Sequence, residues 1–159
     1  MTARRLASVA LGVVLALVLS ACQSAVTGVI GLAAKEGRIS ALVFMCSGYT
    51  SDRIQITRSW ERASVPEPVR HFDGARTAEI DLGDTDEFLD MIGDSHIGIS
   101  SSTSGGLSAT GGWISFDRSE IEQLTDGQIL YGVPLSSDNE VVDAAGFEKS
   151  AEEFCARFD

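Results

Sequence analysis

From residue 39 onward the pattern of apolar residues changes to that of β-strands. The stretch 39–46 (I-S-A-L-V-F-M-C) is apolar on both faces and rich in β-formers, which predicts a central strand. In 53–60, Ile54, Ile56 and Trp60 share one phase, and Gln55, Thr57 and Ser59 the other. Arg58 interrupts the apolar phase, and 48–52 reads as the turn joining the two strands. Shorter alternating runs at 78–82, 96–100, 113–116 and 128–131 bring the predicted strands to six. In 113–116, Ile114 and Phe116 take the inward phase and leave Trp113 outward; His96 falls outward against Ile97 and Ile99.

Helical signals are short. Asp84 with Glu87 three residues on, and Gly93 at the far end, predict a helix over 84–93. A helical turn is expected at 119–124, before the Asp126-Gly127 turn. Ser150 with Glu153 predicts a capping box for a C-terminal helix over 151–158. Residues 63–74, with Pro66 and Pro68, read as a loop, as does the Ser/Gly-rich stretch ending at Gly112. The expected fold is mainly β: a small antiparallel sandwich or partly open barrel with short helices, the last at the C-terminus. Spacing does not separate an immunoglobulin-like sandwich from an α+β arrangement; the all-β reading is preferred.

The first residues follow another logic. Arg4 and Arg5 precede an apolar run from Leu6 to Leu19, and Leu19-Ser20-Ala21-Cys22 follows. The stretch resembles the lipobox signal peptide of bacterial lipoproteins. The resemblance implies cleavage of 1–21, a diacylglyceryl thioether on Cys22 and acylation, such as palmitoylation, of the new amino terminus. The alternative is an uncleaved membrane helix, for which the apolar run is short against the roughly 20 residues needed to span a bilayer. Residues 22–38, with small side chains and Gly28, Gly31 and Gly37, read as a lipidated tether, with a short helix over 26–35 as the alternative. A single globular domain is expected over 39–159. The globular part resembles no named family.

The full chain has 159 residues, 12 basic and 23 acidic side chains and a net charge of -11. Loss of Arg4 and Arg5 with 1–21 leaves ten basic against 23 acidic side chains, a charge of -13. Such a surface disfavours nucleic acid and anionic lipid headgroups. Ten arginines against two lysines point to a GC-rich bacterial genome. With Cys22 assigned to lipid, Cys46 and Cys155 remain in a compartment that permits disulfides, and a bond between them is expected.

Candidate chemistry is sparse. The acids Glu79, Asp81, Asp84, Asp86, Glu87, Asp90 and Asp94 do not fit a calcium loop, since Leu89 stands where its glycine belongs. They read as a solvated strand face and helix start, with Arg53, Arg58, Arg62, Arg70 and Arg76 as potential cross-strand partners. No G-x-S-x-G elbow or metal spacing occurs, and His71 and His96 read as surface residues. No catalytic residue, metal or cofactor is assigned. Trp113 is the candidate ligand-binding residue, and Trp60 is expected in the core. The functional expectation is a membrane-anchored extracytoplasmic lipoprotein serving as a noncatalytic binding or envelope-associated module. Its partners would be the lipid bilayer, through Cys22, and an envelope protein or glycan. The alternatives are an extracytoplasmic hydrolase whose site is assembled from distant residues, and a single-helix membrane protein.

Overall fold

A computed structural model describes residues 26–58, 69–103, 110–134 and 136–158. Cys22 and Trp60 lie outside them. The chain is mainly β, and the described residues form nine strands and three helices. The five-stranded sheet contains β1 (Gly28–Lys35), β2 (Arg38–Met45), β5 (Thr77–Asp84), β8 (Ile129–Gly132) and β9 (Asn139–Val142), in the order β5-β2-β1-β8-β9. The four-stranded sheet contains β3 (Ser51–Arg58), β4 (Val69–Ala75), β6 (Ile97–Ser102) and β7 (Thr110–Phe116), in the order β4-β3-β6-β7. All pairings are antiparallel. The two sheets pack as an open sandwich, not a closed barrel.

The sandwich core takes Ile30, Leu32, Val43 and Met45 from the first sheet and Ile54, Ile56, Ile97, Ile99, Ile114 and Phe116 from the second, all buried. Helix α1 (Thr85–Ile92) closes one end with Phe88, stacked against Phe116 at 6.3 Å between ring centroids. Helix α2 (Arg118–Glu122) adds Ile121. A second cluster fills the outer face of the first sheet. There Val29, Phe44, Ile129 and Tyr131 meet Phe147, Ala151 and Phe154 of α3 (Ala144–Cys155). The Cys46–Cys155 disulfide joins the end of β2 to the end of α3 across a sequence separation of 109. The first sheet is thus covered on both sides, which explains why 39–46 lacks alternation.

Several expected boundaries shift. The tether expected at 22–38 is corrected: β1 occupies its Gly28–Lys35 and forms the middle of the first sheet, so the fold reaches back to Val26. Its small residues serve close packing. A Cβ on Gly28 would sit 2.5 Å from the Phe44 carbonyl oxygen, and one on Gly31 would sit 2.8 Å from Ile129 Cγ2 and 3.1 Å from Phe147 Cε2. The helix expected at 151–158 instead starts at Ala144, where the Asp143 side chain accepts from the Gly146 amide at 2.7 Å. At α1 the Asp84 side chain forms no cap; it pairs with Arg38 at 3.0 Å. Part of the expected loop at 63–74 is β4, and β9 was not anticipated.

Candidate functional site

The outer face of the second sheet is the sheet surface that no described helix covers. Strand alternation chooses its residues. Along β7, Ile114 and Phe116 are fully buried, so Trp113 and Ser115 project outward, followed by Asp117. Trp113 is 56% exposed, as its outward phase predicted. Register supplies the rest: Ser115 pairs with Gly98 of β6, Trp113 with Ser100, and Gly98 with Thr57 of β3. Without a side chain, Gly98 leaves a notch. The indole nitrogen of Trp113 lies 2.9 Å and Thr57 Oγ1 3.0 Å from where its Cβ would be. The ring therefore rests its pyrrole edge on the neighbouring strand and leaves much of its surface to solvent.

His96, just before β6, lies between Ser115 of β7 and Asp117, which follows β7 and caps α2. Its Nδ1 is 2.6 Å from Asp117 Oδ1, and its Nε2 is hydrogen-bonded with Ser115 Oγ. Asp117 is fixed by a reciprocal cap. Its backbone N–H donates to Glu120 Oε2 at 2.8 Å, while its carboxylate accepts from the Glu120 backbone. Asn139 Nδ2 donates to the Ser115 carbonyl at 2.6 Å and to Glu120 Oε1 at 2.9 Å. Further along the face, Arg53 holds Ser102 Oγ through Nε at 3.0 Å and Nη2 at 2.9 Å. Serine, imidazole and carboxylate thus form one hydrogen-bonded chain, with an aromatic two residues before the serine.

The sequence reading placed His96 and Trp113 on the surface, and both are there. It missed Ser115 and Asp117. Their phase was available, because they lie two and four residues beyond Trp113; the missing information was which residues of β6 stand opposite. His71 is also exposed, on β4, and pairs with Arg53.

Elsewhere the chemistry is structural. The acids from Glu79 to Asp94 are all exposed, as expected of a solvated face. The anticipated pairing with the arginine-rich region takes another form. Arg38 binds Asp81 and Asp84 and holds the Asp81 carboxyl below its ordinary value, chiefly by their hydrogen bond. Arg70 donates instead to backbone carbonyls of β5, those of Asp81 and Leu82. Arg76 donates to the Met45 carbonyl at 3.0 Å and lies over the Phe44 ring. Among the described residues no three His, Cys, Asp or Glu side chains are grouped to hold a metal, and no helix is long and apolar enough to cross a membrane. A recess of about 140 Å³ opens beside Val26, Gly112, Trp113 and Pro134. A larger one of about 380 Å³ lies between Phe44, Glu79 and Phe147 on the first sheet.

No family model, curated protein or solved structure matches this chain.

Proposed function

We propose that this chain is a lipid-anchored extracytoplasmic binding module that presents the outer face of its second sheet to an envelope glycan. The observation that carries the binding surface is Trp113, 56% exposed on a sheet face that no described helix covers, with the uncharged polar residues Gln55, Thr57 and Ser100 on the adjoining strands. Register aligns Gln55 with Ser100, and Thr57 with Gly98, on the strands next to it. A sugar ring offers an apolar C–H face to an indole and a rim of hydroxyls to amides and hydroxyls. An acidic domain with such a face suits a neutral ligand better than an anionic one.

The address rests on the lipobox resemblance at 19–22. With acylation at Cys22, four residues separate the lipid from Val26, where the described fold begins, a reach of at most about 14 Å. The domain would sit against the bilayer, close enough for the glycan layer outside it and too close for a long-range search. Two acyl chains would hold it there stably, whereas one is marginal.

The test has two parts. Membrane fractionation of the full chain should retain the wild type and release Cys22→Ser. Trp fluorescence should shift on titration with neutral oligosaccharides from an envelope glycan digest, and Trp113→Ala should lose at least about tenfold in affinity. Equal affinity in the variant would remove Trp113 from the surface. Recovery of a protein partner after crosslinking, lost in Trp113→Ala and with no fluorescence response to oligosaccharide, would replace the glycan with a protein ligand.

A further inference from the structure

We propose that Ser115 is an activated nucleophile, with His96 as its general base and Asp117 as the residue that positions His96, and that this face cleaves carboxylic esters. Three observations carry this. His96 touches both partners through different ring nitrogens: Nε2 bonds with Ser115 Oγ, and Nδ1 lies 2.6 Å from Asp117 Oδ1. This is the arrangement in which a carboxylate orients an imidazole and the imidazole removes the hydroxyl proton. Two of the three are held from outside the trio, Asp117 by its cap with Glu120 and the Ser115 carbonyl by Asn139. Finally, the Trp113 indole nitrogen sits over Gly98, the residue paired with Ser115. In this proposal that indole N–H is the donor for the negative charge that develops on an attacked carbonyl.

The reaction balances without a cofactor. Ser115 Oγ passes its proton to His96 Nε2 and bonds to the carbonyl carbon. The protonated imidazole then donates that proton to the departing alkoxide, the C–O bond of the ester breaks, and an alcohol leaves. Water, deprotonated by the same nitrogen, attacks the acyl-serine; the acyl carbon–Oγ bond breaks, His96 returns the proton to Ser115 Oγ, and the carboxylic acid leaves. The substrate class follows from the neighbourhood: an open polar face with an exposed indole suits an O-acyl ester on a sugar. That assignment rests on the glycan reading above, whereas the reactivity of Ser115 does not.

The test is therefore covalent labelling of the intact, disulfide-bonded full chain with an alkyl fluorophosphonate, which forms the Oγ–P bond and expels fluoride. Peptide mapping should place the adduct on Ser115. His96→Gln, which keeps a hydrogen-bonding side chain but takes no proton, should lower the labelling rate by roughly a hundredfold, within the range of general-base contributions. Asp117→Asn should lower it and Asp117→Glu should restore part of it, a pattern that a purely structural cap would not produce. If His96→Gln fails to fold, urea-unfolded wild type serves as the comparison and should label at least about a hundredfold more slowly than the native chain. No adduct on Ser115, or equal rates in native chain and comparison, would overturn the proposal. Labelling without oligosaccharide binding would keep the nucleophile and discard the sugar ester.

Discussion

Replacing both Cys46 and Cys155 with alanine tests what holds α3 against the first sheet. The disulfide spans 109 residues of sequence, and the chain-entropy relation gives about 5 kcal/mol for a loop of that length. Alanine is the better replacement because both sulfurs are buried in an apolar cluster, where a serine hydroxyl would need a partner. The small cavity left by the sulfurs adds to the loss. Equilibrium urea unfolding reads the result. With a slope of roughly 2 kcal/mol per molar, usual for a domain of this size, the midpoint should fall by about 2–3 M. The slope should also rise, because an unfolded chain without the crosslink exposes more surface. A midpoint shift under about 0.5 M at unchanged slope would refute the reasoning. It would mean that Phe147, Ala151 and Phe154 hold the helix unaided and that the crosslink does little to the unfolded ensemble.

Other outcomes follow from single sites. Gly31→Ala should cost about 1–3 kcal/mol in thermal or urea unfolding, since the new methyl meets Ile129 Cγ2 at 2.8 Å and the Leu130 carbonyl oxygen at 3.2 Å in the packed middle of the sheet. A neutral result would show that α3 can lift without loss. Ser101→Ala should leave stability unchanged or raise it by up to about 1 kcal/mol, because the buried Oγ has no hydrogen-bond partner among the described residues. A loss above about 1 kcal/mol would reveal a partner. Burial pushes the Tyr131 phenol above its ordinary value of 10.0, with its O–H donating to Glu140 at 2.9 Å. The raised folded value means that its contribution is complete below pH 10 and disappears as pH rises through the folded value. Urea midpoints from pH 8 to 11 should fall more steeply in wild type than in Tyr131→Phe, and parallel slopes would contradict this.

The strands most legible in the sequence were those with one polar face. β3, β6 and β7 alternate because the second sheet has only its inner side in the core, so Trp113 and His96 were placed outward from phase alone. β1 was not legible for the opposite reason. Both its faces are covered, and the covering partners come so close that Gly28 and Gly31 stand where a β-former was expected. A run of small residues at that packing distance has the composition of a flexible linker. The C-terminal helix shows another limit. Ser150 and Glu153 match the capping pattern, yet Asp143 makes the cap, and Ala144 to Lys149 extend the helix over β1 and β8. Tertiary burial of Phe147 outweighs the local signal at Ser150.

The candidate site was legible as two outward residues, His96 and Trp113, but not as a cluster. His96 and Ser115 are far apart in the chain, and they meet because β6 and β7 pair Gly98 with Ser115, a register that period-two patterning leaves open. One residue of slip would set Phe116 on the outer face and His96 away from Asp117. The buried pair Ile99–Ile114 and the stacking of Phe116 on Phe88 hold the register against that slip. Core packing and site geometry are therefore the same constraint. The disulfide also bears on which sheet the described helices cover. Cys155 ties the longest described helix to the outer face of the first sheet, and no described helix is placed to cover the second. Among the described helices α3 is fastened to the first sheet, and the exposed indole of Trp113 and the Ser115–His96–Asp117 chain lie on the outer face of the second.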